Sequence, residues 1–172
     1  MTDAHRTAPP PHGLDPARGT GADAVLTGVP GMIGLDHVGV AVPDLDAAVD
    51  FHTRVLGLRV THREVNEDQQ VEEAMLAGPG SGPRPVQVQL LAPSDPGSTI
   101  ARFIERSGPG LQQVAYRVAD VDAAADWLRE HGVRVLYDAA RRGTAGSRVN
   151  FLHPKDCGGV LVELVEVSSH PA

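Results

Sequence analysis

The stretch LDHVGVAVPDLDAAVDFHTRV, residues 35–55, recurs later in the chain as LQQVAYRVADVDAAADWLREH, residues 111–131. The residue pairs identical at a constant offset of 76 include Val38/Val114, Val42/Val118, Asp44/Asp120, Asp46/Asp122, Ala47/Ala123, Ala48/Ala124 and Asp50/Asp126. A second similar pair follows at the end of each copy, VQVQLLAP at residues 86–93 and VLVELVEV at residues 160–167. The chain therefore contains two copies of one structural unit.

The first copy begins with a strand and continues with a helix. Residues 35–42 are rich in valine, alternate weakly between apolar and polar, and stop at Pro43, which is typical of a strand. Asp44 is a suitable N-cap for a helix that ends near Gly57. Three further strands are predicted at residues 58–64, 71–77 and 85–91.

The second copy repeats this plan after a short linking helix over residues 98–106. Asp120 is the predicted N-cap of its helix, which stops at Gly132. Its strands are predicted at residues 112–118, 133–137, 147–153 and 160–167. Each copy is thus a strand–helix–strand–strand–strand (βαβββ) module.

A four-stranded sheet with one helix leaves its second face uncovered, and two such modules can close their uncovered faces around a shared cup. We therefore predict an α+β fold in which two tandem βαβββ modules form a partly closed, cup-shaped sheet. We expect one domain, with the first module and linking helix at residues 32–108 and the second module at residues 109–168. Residues 1–31, rich in Pro, Gly, Ala and Thr, are predicted to be a disordered tail, and residues 169–172 a second short tail.

Four polar side chains are expected to converge inside this cup. If the two copies pack face to face, His37 lies near Gln113 and Gln89 lies near Glu163. Because side chains alternate along a strand, Glu163 shares its face with apolar neighbours on both sides. A buried carboxylate in such surroundings needs a partner, and a cation would supply one. The pattern therefore predicts a metal site in the cup.

Composition argues against several classes of function. The formal net charge of −7 over 172 residues disfavours nucleic-acid binding, which needs clustered cations. No apolar run approaches the roughly 20 residues that span a bilayer. The first residues lack a basic segment followed by an apolar one, so no secretion signal is predicted. The single cysteine, Cys157, excludes an internal disulfide and fits a reducing, cytoplasmic location.

Several motifs taken together resemble one enzyme family. They are LDHVGVAVPDLDAAVDF, EVNEDQQVEEAML, VQLLAP, STIARFI and RGTAGSRVNFLHPKDCGGVLVELVE. In this order and spacing they resemble the methylmalonyl-CoA epimerase family, a branch of the vicinal-oxygen-chelate (glyoxalase) superfamily of paired βαβββ modules. The resemblance covers about residues 33–167.

The resemblance implies a divalent metal held by His37, Gln89, Gln113 and Glu163. One ligand differs from the family pattern, which has His-His where this chain reads Gln112-Gln113. An amide oxygen is a harder and usually weaker donor to a transition metal than imidazole, so we expect weaker binding than in relatives with two histidines. One nitrogen and three oxygen donors favour Co²⁺ or Mn²⁺, with Mg²⁺, Ni²⁺ and Zn²⁺ as alternatives.

The resemblance also implies a reaction, the interconversion of 2R and 2S methylmalonyl-CoA or of a close 2-alkylmalonyl thioester. Removing the proton between thioester and carboxylate gives an enolate, whose charge a nearby dication stabilises. One protonatable group is needed on each face of the substrate, and the resemblance gives these roles to Glu73 and Glu163. Glu72 is the rival of Glu73, because a shift of one residue in strand register would exchange which of them faces the cup.

A basic stretch, RRGTAGSRVNFLHPK at residues 141–155, contains the only lysine of the chain, Lys155. In an acidic protein such a stretch suggests contact with the substrate carboxylate or the CoA phosphates. Thr144, Arg148 and Lys155 are the candidate substrate-binding residues, and a solvated loop is the alternative. A homodimer is implied by the resemblance alone.

Four other histidines are not assigned to the site. His153 is interpreted as structural, because it lies in the FLHPK stretch shared with the family. His52, His62 and His131 lack convergent partners in the pattern and are predicted to lie at the surface.

Two other functions stay open. In the first, the protein no longer binds a metal because Gln113 replaces a histidine ligand, and it serves as a ligand-binding or accessory protein. In the second, the chain is another enzyme of the superfamily. A ring-cleaving dioxygenase needs two histidines and one carboxylate on Fe²⁺, and here Gln113 replaces the second histidine. A glyoxalase is chemically closer, because it also moves a proton beside a carbonyl. The stretches VNEDQQVEEAML and FLHPKDCGGVL favour the epimerase family over the glyoxalases.

Overall fold

A computed structural model of the chain describes residues 28–166. The first module contains β1 (Met32–Ala41), α1 (Leu45–Arg54), β2 (Arg59–Asn66), β3 (Val71–Ala77) and β4 (Gln87–Pro93). A linking helix, α2 (Thr99–Ser107), leads to the second module. That module contains β5 (Gly110–Val118), α3 (Val121–Glu130), β6 (Arg141–Arg142), β7 (Arg148–Leu152) and β8 (Leu161–Glu166). Single 3₁₀ turns lie at Thr144–Gly146 and Pro154–Asp156.

The eight strands form one continuous sheet in the order β2-β3-β4-β1-β5-β8-β7-β6. The first strand of each module, β1 and β5, pair antiparallel at the centre and join the two halves. Val38 and Val114, which are equivalent in the repeat, lie directly opposite each other in this pairing. The two modules are therefore related by an approximate twofold axis at this pair, and the predicted fold of two tandem modules is confirmed.

The helices begin at the residues that the sequence predicted. The Asp44 side chain accepts a hydrogen bond of 2.9 Å from the N–H of Ala47 and so caps α1. The Asp120 side chain caps α3 in the same way. Each helix packs on the outer face of its own module, around Leu45 in the first and around Val121 and neighbouring residues in the second. The inner face of the sheet is left for polar side chains.

The predicted strand at residues 133–137 is wrong. Only Val135 pairs there, in an isolated bridge with Leu152, and the sixth strand is instead the short pair Arg141–Arg142. The reason is competition from side chains. The Asn150 amide donates to the carbonyl of Tyr137 at 3.0 Å and accepts from its N–H at 3.3 Å. These bonds replace the backbone pairing that a strand would need.

The predicted disordered tail, residues 1–31, needs a corrected boundary. Residues 28–31 form a turn, in which Val29 packs against the apolar cluster around α3. The carbonyl of Gly31 accepts a hydrogen bond from the N–H of Ala119 at 2.8 Å. Residues 1–27 and the predicted tail at 169–172 lie outside the described residues. Within residues 28–166, no helix has the length and apolar character needed to cross a bilayer.

Candidate active site

Small residues at the centre of the sheet make room for the polar side chains of the cup. In the β1–β5 pairing, Gly39 lies opposite Gln113 and His37 lies opposite Ala115. Gly39 also neighbours Gln89 on β4, so two amide side chains flank it. A Cβ atom at Gly39 would lie 2.6 Å from Cγ of Gln113, which only a shift of Gln113 could relieve. The glycine is therefore what allows Gln113 to lie across the floor of the cup.

The four predicted metal-binding side chains do converge. All of them are buried: His37, Gln89, Gln113 and Glu163. The amide nitrogen of Gln113 donates to Glu163 Oε2 at 2.5 Å and to Gln89 Oε1 at 3.2 Å. His37 Nε2 lies 3.2 Å from the same Glu163 oxygen. Pseudo-symmetric packing of the two repeats therefore produces the cluster that the offset of 76 predicted.

His37 is held from both sides by carboxylates. Its Nδ1 lies 2.8 Å from Asp36 Oδ1, and the other oxygen of Asp36 accepts from Arg117 at 2.7 Å. Burial lowers the pKa of His37, but the carboxylates of Asp36 and Glu163 outweigh it and raise the pKa to about 9. Burial raises the pKa of Asp36, whereas the hydrogen bonds from His37 and Arg117 lower it more and leave it below its ordinary value.

Glu73, rather than Glu72, faces the cup. Glu73 is buried, and its two oxygens accept hydrogen bonds from Gln89 Nε2 at 2.8 Å and Thr144 Oγ1 at 2.9 Å. Burial raises the pKa of Glu73, the hydrogen bond from Thr144 lowers it, and the carboxylate of Glu64 raises it again, to about 7. A carboxyl group with this pKa can both take and give a proton near neutral pH.

The loop before β7 brings one predicted substrate-binding residue into the site. Thr144 contacts both Glu73 and Gln89, although these belong to the other module. The next residue, Ala145, has a φ of 53°, a left-handed conformation that non-glycine residues rarely adopt. The loop that places the Thr144 hydroxyl therefore stores backbone strain beside the cup.

Arg148 and Lys155 do not join this cluster. The Arg148 guanidinium forms ion pairs with Asp122 and Glu166, on the outer side of the second module. Lys155 lies in the 3₁₀ turn at Pro154–Asp156 and lines neither cavity of the cup. Both lie outside the cluster, and their predicted contact with substrate anions stays a prediction.

The cup opens into two cavities. The larger, of about 800 Å³, is lined by His37, His62 and, among other cations, Arg59 and Arg84. The smaller, of about 440 Å³, is lined by Glu73 and the two amides of the cluster. Glu163 lines both cavities, so the two acidic residues predicted to act on a substrate lie on connected surfaces.

The donor set fits a divalent cation, with one adjustment. Among residues 28–166, no group of three His, Cys, Asp or Glu side chains could hold a metal, so the two amides must complete the set. His37 Nε2 is buried, has no well-aligned hydrogen-bond partner and lies 3.2 Å from Glu163 Oε2. Its lone pair could therefore bind a cation that Glu163 also binds. Gln113 presents its NH₂ group, so its oxygen becomes a donor only if the amide turns over.

Two residues beside the site were not predicted. The carboxylate of Glu64 lies 2.7 Å from Nε2 of His62, and Glu64 lies opposite Glu73 in the pairing of β2 with β3. His62 was predicted to be a surface residue without convergent partners; its side chain is 36% exposed, but it does have a partner in Glu64. Alternation along β2 could have pointed to the pair, because His62 and Glu64 are two residues apart in continuous register with β3.

Comparisons with known proteins agree with this geometry. Residues 36–151 match the model of the Glyoxalase/Bleomycin resistance protein/Dioxygenase superfamily. The ethylmalonyl-CoA/methylmalonyl-CoA epimerase of Cereibacter sphaeroides is 40% identical, over 79% of this chain and 100% of that protein.

Solved structures give the same result. The methylmalonyl-CoA epimerase of Mycobacterium tuberculosis is 53% identical with a TM-score of 0.76, over 82% of this chain and 92% of that one. A variant of the Streptomyces coelicolor methylmalonyl-CoA epimerase in complex with 2-nitronate-propionyl-CoA is 45% identical with a TM-score of 0.76, over 80% of this chain and 99% of that one.

Proposed function

The chain belongs to the methylmalonyl-CoA epimerases of the glyoxalase superfamily, and from this premise we propose that it interconverts the 2R and 2S forms of methylmalonyl-CoA, or of a close 2-alkylmalonyl thioester, through an enolate. The observation that carries the proposal is the pair Glu73 and Glu163. Both are buried on the inner face of one cup, and the amides of Gln89 and Gln113 bridge them.

The two carboxyl groups divide the work between the faces of the substrate. In one direction Glu73 removes the α-proton and Glu163 returns a proton to the opposite face, and in the other direction the roles exchange. The amide N–H of Gln89 holds the carboxyl group of Glu73 in place, and Gln113 donates to Glu163 unless its amide turns over toward a metal. Thr144 donates to Glu73 and so fixes the orientation of its carboxyl group.

We propose that His37, Gln89, Gln113 and Glu163 hold a divalent cation, with Co²⁺ or Mn²⁺ favoured by the mixed nitrogen and oxygen donors. When bound, such a cation supplies positive charge next to the thioester oxygen where negative charge develops. His37 must lose its proton to become a donor, and its raised pKa means that a metal has to displace this proton. Metal binding is therefore expected to strengthen as pH rises toward the pKa of His37.

Replacing Gln113 by histidine is expected to tighten metal binding by roughly 10- to 100-fold, because imidazole is a better donor to transition metals than an amide. Gly39, opposite Gln113, has no Cβ atom that could clash with the imidazole ring. Isothermal titration of Co²⁺ into the metal-free variant and the wild-type protein measures the change. Gln112→His is the matched control. An unchanged affinity in Gln113→His would remove Gln113 from the proposed ligand set.

The function is tested by exchange of the substrate's α-hydrogen. Methylmalonyl-CoA is incubated in D₂O with the metal-loaded protein, and mass spectrometry follows deuterium at the α-carbon while chiral analysis follows epimerisation. We expect both to proceed with catalytic amounts of protein. Absence of exchange at protein concentrations comparable to substrate would reject the proposal.

A metal-poor accessory protein is the second candidate, since the described residues contain no trio of His, Cys, Asp or Glu side chains. Metal analysis of the purified protein, followed by titration with Co²⁺ and Mn²⁺, separates the two functions. Failure to take up either metal would favour the accessory role. The homodimer and the cytoplasmic location stay predictions, and sedimentation analysis would test the dimer.

A further inference from the structure

We propose that Gln112 binds the free carboxylate of the substrate through its amide nitrogen and so selects malonyl-type thioesters. The proposal rests on the proposed epimerase function, in which the α-carbon of the substrate lies between Glu73 and Glu163. Gln112 is a neutral hydrogen-bond donor in this role, without a part in proton transfer or in metal binding. It would determine which thioesters the site accepts.

Two symmetric bulges in the central strand pair turn extra side chains into the cup. In the pairing of β1 with β5, Asp36 is an extra residue of β1 that has no partner on β5. Gln112 is the corresponding extra residue of β5. The two positions are 76 residues apart, so they are equivalent in the repeat. A bulge breaks the alternation of side chains, and both residues are buried and line a cavity of the cup.

The protein supplies a partner for one of these two side chains only. Asp36 accepts a hydrogen bond from Arg117 at 2.7 Å. The repeat equivalent of Arg117 is Ala41, whose methyl group cannot donate a hydrogen bond. In the described part of the chain, Gln112 Oε1 is buried and has no hydrogen-bond partner. Because this oxygen is enclosed, Nε2 is the end of the carboxamide that a ligand in the smaller cavity can reach.

The other buried amides of the smaller cavity are already engaged. Gln89 Nε2 donates to Glu73 at 2.8 Å, and Gln113 Nε2 donates to Glu163 at 2.5 Å. Among the buried amides that line this cavity within residues 28–166, Gln112 is the one that keeps its N–H groups for a ligand. A buried polar group without a partner costs free energy, and a bound substrate would remove that cost.

The charges of the cavity make the substrate carboxylate the group that needs such a donor. A 2-alkylmalonyl thioester carries a thioester carbonyl on one side of its α-carbon and a carboxylate on the other. The thioester oxygen is expected beside the proposed cation, which leaves the carboxylate to be held by the protein. Glu73 and Glu163 line the same cavity, so a carboxylate without a donor would be repelled there. An amide N–H stabilises it without adding a charge beside the two glutamates.

Gln112 also lies at the depth of the cup where this carboxylate is expected. It directly precedes Gln113, which donates to Glu163, and consecutive Cα atoms are about 3.8 Å apart. The carboxylate is bonded directly to the α-carbon, so its oxygens lie within about 2.5 Å of the reacting atom. The nucleotide part of a CoA thioester is many bonds further away. A contact with the carboxylate is therefore the one that the position of Gln112 favours.

The test compares two ligands that differ only in the carboxylate. Methylmalonyl-CoA carries this group, and propionyl-CoA is the same thioester without it. Isothermal titration in the presence of Co²⁺ measures the Kd of each ligand for the wild-type protein and for Gln112→Leu, which loses the donor. We expect Gln112→Leu to bind methylmalonyl-CoA at least about tenfold more weakly and propionyl-CoA within about twofold of wild type.

A second variant keeps the size and polarity of the side chain. Gln112→Glu places a carboxylate where the donor was, and it provides the same test if the apolar substitution prevents folding. We expect it to weaken binding of methylmalonyl-CoA more than Gln112→Leu does and to spare propionyl-CoA, because the new charge repels only the ligand that has a carboxylate. Gln69→Leu is the matched control, since Gln69 lines the same cavity but is exposed. It should leave the ratio of the two Kd values unchanged.

The ratio of the two Kd values decides between the outcomes. Equal weakening of both ligands in the Gln112 variants would mean that Gln112 contacts the shared CoA part or only supports the fold, and the proposal would be overturned. Wild-type affinity of both variants for methylmalonyl-CoA would also overturn it. Binding is measured without turnover, so either result leaves the epimerase function to the separate test by deuterium exchange with the wild-type protein.

Discussion

Replacing Glu163 by glutamine is expected to lower kcat/KM for epimerisation by about 10³-fold or more, because the protein loses both a proposed metal ligand and the acid and base for one face of the substrate. Glu163 lies 3.2 Å from His37 and accepts from Gln113 at 2.5 Å, so it belongs to the proposed metal-binding set. It is also the acid and base for one face of the substrate. An amide of the same shape cannot take up the proton and is a weaker ligand.

The measurement pairs activity with metal affinity. For Glu163→Gln we expect deuterium exchange at the α-carbon to fall together with the epimerisation rate, and the affinity for Co²⁺ to fall as well. Glu166→Gln is the matched control, because Glu166 lies on the same strand but pairs with Arg148 on the outer side. Activity within tenfold of wild type in Glu163→Gln would exclude Glu163 from the chemistry.

The repeat is the reason that the fold and most of the site could be predicted. An offset of 76 places equivalent residues around one axis, and the structure locates this axis at Val38 and Val114. Residues one position before this pair, His37 and Gln113, then lie diagonally across the two central strands on one face. Convergence thus follows from symmetry and strand alternation, without knowledge of the loops.

Residues outside the repeat were harder to place. Arg148 and Lys155 were predicted to meet substrate anions, but charge alone does not reveal which partner a side chain finds. Asp122 and Glu166 bind Arg148 on the outer face of the second module. Thr144 lies beside Glu73, and this contact depends on a strained loop that the sequence pattern does not show; its role in substrate binding stays a prediction.

Strand register decides which of two adjacent glutamates faces the cup. Burial identifies Glu73 rather than Glu72 as the residue in the cup, since Glu73 is 3% exposed and lies opposite Glu64 in the pairing of β2 with β3. Which residue of β2 lies opposite Glu73 depends on how β2 pairs with β3, and this pairing includes a register shift between Val60 and His62. The sequence alone could not place Glu64 opposite Glu73.

Replacing Glu73 by glutamine is expected to reduce epimerisation by about 10²- to 10⁴-fold, because the base for one face of the substrate is lost. In the wild-type protein, kcat/KM in the direction that uses Glu73 as base should rise with pH through about 7, the pKa of this group. The pH–rate profile of each direction measures this. A profile that is flat between about pH 6 and 8 would contradict the role of Glu73.

The same substitution should stabilise the metal-free protein at high pH. Burial raises the pKa of Glu73 from its ordinary value of 4.5 to about 7, so the folded state binds more protons than the unfolded state in this window. The contribution of Glu73 to stability is therefore full below about pH 4.5 and is lost as pH rises through about 7. Above that, the folded protein holds a buried carboxylate that the introduced amide avoids.

We accordingly expect urea denaturation with a chelator to show Glu73→Gln as more stable than wild type by on the order of 1–3 kcal/mol at about pH 8.5, with little difference at about pH 5. The introduced amide keeps one of the two acceptor oxygens of Glu73, and its NH₂ group can donate to the hydroxyl oxygen of Thr144, which turns from donor to acceptor. Glu72→Gln is the control, and its effect should not vary with pH in this way. Equal stabilities of wild type and Glu73→Gln at the higher pH would mean that ionisation of Glu73 does not destabilise the folded state. The pKa of Glu73 would then not be raised toward neutral pH, which would contradict its proposed role.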